Sequence, residues 1–431
     1  MGTSDGAPSA ATASSATAAA VSGRARYVTE IAALLWPPPR HVATGSGDAG
    51  AGRPVREYLL VPHAREPRLM LPASGRPGAT AVLGFNKDRS RKANLLSRAL
   101  AVGLRTGVGG PLLRDRIRVY ESEAGTSAPA EEVDGAPDIE GYLGGVLGAD
   151  VVIALHIGPD RANRKPVAQV LGRDGRTLGY AKIGVNELTR DLVRAERTAL
   201  EKLAKRPMPT VRVPSIAHAG QWNGLEILVL DPLPVWSRHA ALTRERMMAA
   251  VAEVVEIDGV ERVALTASPY WESLRARVAA LGSDAGQEIA AVLDRVAERA
   301  GDRVLPFGAW HGDWTAWNMA ALPEQMLVWD WERFGTGVPV GFDAVHYVTQ
   351  DAITEHGTDP RQAADEGMAG APELLAPLGL TPDEATLAAL LYLAELGTRY
   401  LTDRQDEAGA RLGRLDTWLL PVLASWSAKV S

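Results

Sequence analysis

At 431 residues the chain exceeds the size at which a single core keeps growing, so two or three domains are expected. Its 46% hydrophobic and 23% charged residues belong to an ordinary globular protein, and its formal net charge of -6 argues against a nucleic-acid partner, since such binders gain affinity from excess Lys and Arg. The absence of Cys excludes disulfides, thiolate nucleophiles and zinc-thiolate sites together. No apolar run approaches the ~18 to 20 residues that span a bilayer, so no membrane partner is expected. The opening "MGTSDGAPSAATASSATAAAVSG" lacks the basic and leucine-rich regions of a signal peptide, so a disordered tail over 1–23 and a cytoplasmic location are expected.

After the tail, "RYVTEIAALLWPPPR" reads as a short helix stopped by prolines, because the residue before Pro is pushed out of the helical region. "REYLLVPHAREPRLMLPA" reads as two apolar strands around a polar turn. A basic helix follows, "KDRSRKANLLSRALAVGL", carrying Lys87, Arg89, Arg91 and Lys92 on what reads as a solvated face. Then come a strand, "DRIRVYESE", a Gly-, Ala- and acid-rich link at 123–138, and "DIEGYLGGVLGA". Residues 24–149 are taken as an appended α+β domain.

From 150 the pattern changes to "DVVIALHIGP", "KPVAQVLGRDG" and "RTLGYAKIG", three β-rich runs of which the last two flank an Asp-Gly hairpin signal. A helix at "NELTRDLVRAERTALEKLA" and strands in "VPSIAHAG" and "LEILVLDPLP" complete a small β-rich lobe over 150–232. The rest, 233–431, is mostly helical. One helix there carries Ile289, Val292, Leu293 and Val296 at helical spacing, and another opens at "TPDE", where Thr381 caps, Pro382 suits the first turn and Glu384 completes a capping box. The fold class read from this order is α+β, with two lobes.

Chemistry concentrates in "HGDWTAWN", residues 311–318. Asp313 and Asn318 have the spacing of a kinase catalytic loop: a carboxylate orients an acceptor hydroxyl and takes its proton, and Asn offers magnesium a neutral oxygen. Alone, the stretch is equally a tryptophan-rich turn. In the following "MLVWDWERFG", read as a strand, Leu327, Trp329 and Trp331 would share one face while Val328 and Asp330 take the other. That placement suits a second magnesium ligand or a solvated acid at a strand end. Lys182 lies mid-strand among apolar and Gly residues. Glu196 falls on the apolar stripe of Leu192, Leu200 and Leu203, unlike Glu201, which shares a polar face. Pairing Lys182 with Glu196 removes two misplaced charges; a Lys182 pointing outward is the alternative.

Through "YAKI", the Glu196 helix, "HGDWTAWN", "VWDWE" and "GFDAVH", taken in that order over 150–431, the chain resembles the aminoglycoside phosphotransferase and choline kinase-like family, kin of the protein kinase fold. The resemblance implies a bilobal kinase-like fold using ATP and Mg2+ to phosphorylate a small-molecule hydroxyl. It implies that Asp313 is the base, that Asn318 and Asp330 hold magnesium, and that Lys182, paired with Glu196, binds the nucleotide phosphates. It further implies that Asp343 braces the catalytic loop, that His311 packs within it, and that the backbone of Val229, Leu230 and Asp231 meets adenine.

The sequence departs from that family pattern in places. "IGPDRANRKP" has one Gly where a Gly-rich loop is usual, which leaves Arg164 or Lys165 either as phosphate contacts or as a solvated hairpin tip. Gly312 stands where many protein kinases have Arg, so no activation-loop clamp is expected and a small acceptor is favoured over a protein. Five of the eleven tryptophans lie between 310 and 331. Core packing is expected for Trp310, Trp317 and Trp329, while Trp314 is open to substrate stacking, with Glu332 and His346 as further pocket residues. Two other readings are carried, a kinase acting on Ser or Thr of a peptide and a nucleotide-binding pseudokinase.

Overall fold

The computed structural model describes residues 22–44, 54–84, 91–107, 115–121, 136–159, 161–410 and 412–430, with the side chains of 91–94 left aside. Nearly all of the expected tail, most of the Gly-rich link, Lys87, Arg89 and the side chains of Arg91 and Lys92 lie outside that description.

The chain is α+β. A nine-stranded antiparallel sheet, β1 (Arg40–Thr44), β2 (Arg56–Val61), β3 (Leu69–Pro72), β4 (Arg116–Glu121), β5 (Val151–His156), β6 (Val167–Gly172), β7 (Thr177–Gly184), β9 (Ile216–Trp222) and β10 (Leu225–Leu230), runs in the order β1-β4-β2-β3-β5-β6-β7-β10-β9. Helices cover both of its faces. Val151, Ile153 and Leu155 pack under α1 (Gly23–Leu35) and α4 (Ile139–Leu147), while Val152 and Ala154 pack under α2 (Gly75–Gly84) and α3 (Arg91–Thr106). A strand covered on both sides has no solvent face to mark with polar residues, which is why "VVIALH" reads as a continuous apolar run.

The sheet continues across the 149/150 boundary, because β3 pairs with β5 through Leu69 opposite His156 and Met70 opposite Leu155. Between β6 and β7 the expected Asp-Gly turn forms, with Gly175 at φ 87° and Asp174 Oδ1 accepting from the Arg176 N–H at 2.9 Å. Helix α2 and strand β1 are additions to the sequence reading. The three glycines and Pro77 in "GRPGATAVLG" disguise a helix whose Pro sits harmlessly in the first turn.

Beyond α5 (Glu187–Leu203) and the short β8 (Val211–Arg212), the second half is largely helical: α6 (Arg244–Val255), α7 (Pro269–Ala279), α8 (Asp284–Ala300), α9 (Phe342–Thr354), α10 (Pro360–Leu375), α11 (Pro382–Thr402) and α12 (Leu419–Ser427) share one apolar core. The four apolar residues of α8 are buried, and the capping box closes at 2.8 Å from Thr381 N to Glu384 Oε2. Two small sheets lie among these helices: β11 (Glu261–Ala264), β12 (Val304–Trp310) and β15 (Gly335–Pro339), and the pair β13 (Met319–Ala321) and β14 (Met326–Val328) joined by β8. Among the described residues no single helix is long and apolar enough to cross a membrane.

Candidate active site

The first half of the site comes from the sheet. Ala181 and Ile183 of β7 point into the core beneath α1 and α4, so the intervening Lys182 faces α5. There its Nζ lies 2.5 Å from both carboxylate oxygens of Glu196, a residue with no exposed surface, and 2.5 Å from Asp330 Oδ1. The expected pair is thus made, and the outward-facing alternative is excluded. Trp331 N–H also donates to Glu196 Oε1 at 3.2 Å, tying the helix to the segment that carries Asp330. Burial works against the charge on Lys182, yet Asp330 and Glu196 keep its pKa above the ordinary value.

That segment corrects the strand expected through Trp331. β14 ends at Val328, Asp330 takes a left-handed conformation (φ 72°, ψ 53°), and Trp331–Arg333 form a 3-10 turn. A non-glycine residue there is strained, and the turn of the backbone, instead of strand alternation, aims the Asp330 carboxylate at the lysines. Burial opposes its ionisation, but Lys165 and Lys182 hold the carboxyl far below the usual range.

The other half is the loop after β12. His311 N and Gly312 N donate to Asp343 Oδ2 and Oδ1 at 2.6 and 3.0 Å, so Asp343 occupies the bracing position. Burial pushes that carboxyl up to about 7, against the pull of the two N–H groups. His311 Nδ1 accepts from Asp313 N–H at 3.1 Å, so its Nε2 carries the proton and donates to Trp329 O at 3.1 Å. The ring is neutral, burial having pushed its pKa down to about 4 from 6.5.

A neutral buried histidine makes folding pH-dependent. Between its unfolded and folded pKa values the unfolded chain binds the extra proton, so this stability is present above pH 6.5 and is lost as pH falls towards 4, by about 3 kcal/mol in all. His346, whose pKa burial also lowers, acts in the same direction. Chemical denaturation of wild type and His311→Gln across that window should show a shallower fall for the variant; identical slopes would contradict the assignment.

Gly312 has φ 85°, and a Cβ there would lie 2.3 Å from Arg333 O. Gly312→Ala is therefore expected to displace the loop. Because ~1 Å of misplacement costs roughly 10²-fold in rate, turnover should fall at least that far, with a lower melting temperature.

Asp313 is partly exposed. Asn318 Nδ2 donates to its Oδ2 at 2.9 Å and to its carbonyl at 3.0 Å, and His346 Nε2 lies 3.1 Å from Oδ1. Burial would raise the Asp313 pKa, but the hydrogen bond from His346, with the Arg399 charge beyond, brings it to about 2. An ionised carboxylate only accepts, so His346 Nε2 is the donor, and His346 Nδ1 accepts from Tyr392 Oη at 2.8 Å. Arg399 donates to Gly312 O at 2.5 Å from behind.

The expected pocket residues are all buried. His346 is buried with both ring nitrogens engaged, Glu332 is buried against Lys165, and Trp314 is fully buried with its ring edge-on to His311. None of the three offers a surface to a substrate. Trp317 and Trp329, expected in the core, are instead half-exposed beside the loop, whereas Trp310 is buried as expected. Towards the hinge, Val229 and Leu230 are buried in β10, and Asp231 N–H is already given to Ser215 O at 2.9 Å. Asp231 therefore has no N–H to offer adenine.

Lys165 is the residue whose place the sequence reading left open. Its side chain is 7% exposed, ion-paired to Glu332, and 3.4 Å from Asp330 Oδ1. The hairpin register held the signal: Val167 sits opposite Lys182, so Lys165 lies on the same sheet face one pleat further along.

The donors fit a hard cation. With Asn318 Nδ2 committed to Asp313, its amide oxygen is left as an acceptor, and Trp329 N–H to Asn318 O at 3.0 Å brings Asn318 beside the turn that carries Asp330. Carboxylate and amide oxygens are magnesium's preferred protein ligands.

The sequence matches no family model and no curated protein. Among solved structures it is similar to choline kinase from Cryptosporidium parvum, at 10% identity and TM-score 0.40 over 65% of this chain and 89% of that one. It is similar also to a thermostable mutant of an aminoglycoside phosphotransferase in its apo form, at 14% identity and TM-score 0.40 over 68% and 99% of the two chains. A third similar structure is an aminoglycoside phosphotransferase from Streptomyces rimosus in complex with ADP and streptomycin, at 19% identity and TM-score 0.34 over 52% and 88%.

Proposed function

We propose that the protein is an ATP- and magnesium-dependent phosphotransferase that transfers the γ-phosphoryl group to a hydroxyl of a small molecule. The observation carrying this reading is Asp313, an ionised carboxylate held from two sides by His346 and Asn318, with Asn318 joined in turn to Trp329 beside Asp330 of the Lys182 and Glu196 cluster. Such an arrangement has one group to orient a nucleophile and another to hold polyphosphate, which phosphoryl transfer requires.

Lys182, fixed by Glu196, binds the nucleotide phosphates, and Asp313 accepts a hydrogen bond from the acceptor hydroxyl. The new O–P bond forms as the bridge to the β-phosphate breaks and ADP leaves. The hydroxyl proton passes to Asp313 and then to solvent. A carboxylate with a pKa near 2 is a weak base, so it orients the hydroxyl first and takes the proton late, as the O–P bond forms. Magnesium, held by Asn318 and Asp330, would neutralise charge on the phosphates.

Incubation with ATP, magnesium and a panel of sugars, aminocyclitols and amino alcohols, read by mass spectrometry, should show one acceptor gaining a phosphate. ATP uptake with no phosphorylated small molecule, alongside phosphate on a peptide, would transfer the reading to a peptide kinase.

A further inference from the structure

The acids of this site carry one more cation than the scheme above uses. Carboxylate oxygens of Glu196, Asp330 and Glu332 lie within 4.8 Å of one another, and Lys182 accounts for Glu196 and one oxygen of Asp330. Glu332 is answered by Lys165, from the loop between β5 and β6, whose Nζ is also 3.4 Å from Asp330 Oδ1. Burial disfavours that ammonium, but Asp330 and Glu332 hold its pKa above the ordinary lysine value.

The loop itself is clamped from outside. Arg24 of α1 donates to Gly158 O at 3.3 Å, and the Arg164 guanidinium lies 3.7 Å over the Tyr27 ring. With its neighbours held on α1, Lys165 reaches inward to Glu332 and Asp330. The loop has a single glycine in "IGPDRANRKP", and glycines are what let a backbone close on phosphates. An ammonium on a four-carbon stem needs no such approach.

We propose that Lys165 is a tethered counter-ion: it neutralises Glu332 and Asp330 in the nucleotide-free protein and moves onto the nucleotide phosphates when ATP enters with its metal, replacing the contacts that a glycine-rich loop would make. This rests on the phosphotransferase reading. Two lysines against three acids leave the cluster one positive charge short of neutral. A divalent cation at Asp330 repels the Lys165 ammonium, and the adjacent phosphates attract it.

The test uses the full-length protein and two readouts apart from turnover, binding of Mn2+ alone by paramagnetic resonance and binding of a fluorescent ATP analogue with Mg2+. In Lys165→Met, three acids share one ammonium, so Mn2+ affinity without nucleotide should rise about tenfold while ATP affinity falls about 10- to 100-fold, the scale of one charge-assisted contact. Glu332→Gln breaks the same ion pair but releases Lys165, so ATP affinity should hold or rise. A purely structural ion pair would weaken ATP binding in both variants, and that result overturns the proposal, as does unchanged ATP affinity in Lys165→Met. If Lys165→Met fails to fold, Lys165→Gln replaces it under the same criteria. Wild type that takes up no ATP with Mg2+ would overturn the phosphotransferase reading as well, which separates the two failures.

Discussion

Asp313→Asn is expected to lower turnover by about 10²- to 10⁴-fold, the range a positioned general base contributes, while nucleotide still binds. The substitution is nearly isosteric, and its effect has two parts. The amide cannot take the hydroxyl proton. It also cannot accept from both neighbours: if its oxygen serves His346, its NH2 meets the NH2 of Asn318, which now donates to Asp313 at 2.9 Å. A donor facing a donor in a partly buried site costs about 1–3 kcal/mol, so a modest drop in melting temperature should accompany the loss. Exchanging the pair, as Asp313→Asn with Asn318→Asp, restores the side-chain hydrogen bond but not the one to the carbonyl of residue 313, and should recover part of the melting temperature but not turnover. Recovery of both would mean that Asp313 acts only through loop structure.

The second large effect is expected at Lys182. Lys182→Met leaves Glu196, with no exposed surface, facing a methyl group in place of an ammonium 2.5 Å away. Removing one partner of a buried ion pair costs about 3–5 kcal/mol, so the variant should unfold at markedly lower denaturant and bind ATP weakly. Lys182→Met with Glu196→Gln removes both charges and should regain much of the stability while ATP binding stays low. If the double variant bound ATP like wild type, Lys182 would be a structural charge only.

The parts of the site legible in the sequence are those encoded by local periodicity. Lys182 interrupts a strand and Glu196 an apolar helical stripe, and two buried charges of opposite sign on adjacent elements have one economical arrangement. The capping box at Thr381 and the Asp-Gly turn at Gly175 are local in the same way. Lys165, by contrast, meets Asp330 and Glu332 from 165 and 167 residues away in the chain, and its role depends on hairpin register, which one-dimensional patterning leaves implicit.

The tryptophans show a different limit. Strand alternation would group Trp329 with Trp331, but the left-handed Asp330 between them breaks the alternation, burying Trp331 and leaving Trp329 half-exposed. Trp314 is likewise turned into the core in the irregular loop beyond Gly312, where no fixed period applies. His346 reads from the sequence as a candidate pocket residue; that its ring lies between Tyr392 and Asp313 follows from how α9 packs on α11, a tertiary fact. The continuous sheet through β3 and β5 has the same origin. Both strands are apolar enough for an interior, and nothing in either names its neighbour.

The most direct measurement is acceptor-dependent ADP formation by wild type and Asp313→Asn side by side, with ATP and magnesium saturating and the acceptor taken from the small-molecule panel. The account predicts ADP and phosphorylated acceptor in equal amounts from wild type and a loss of about 10²-fold or more in the variant. Equal rates from the two proteins, or ADP release indifferent to every acceptor, would contradict it.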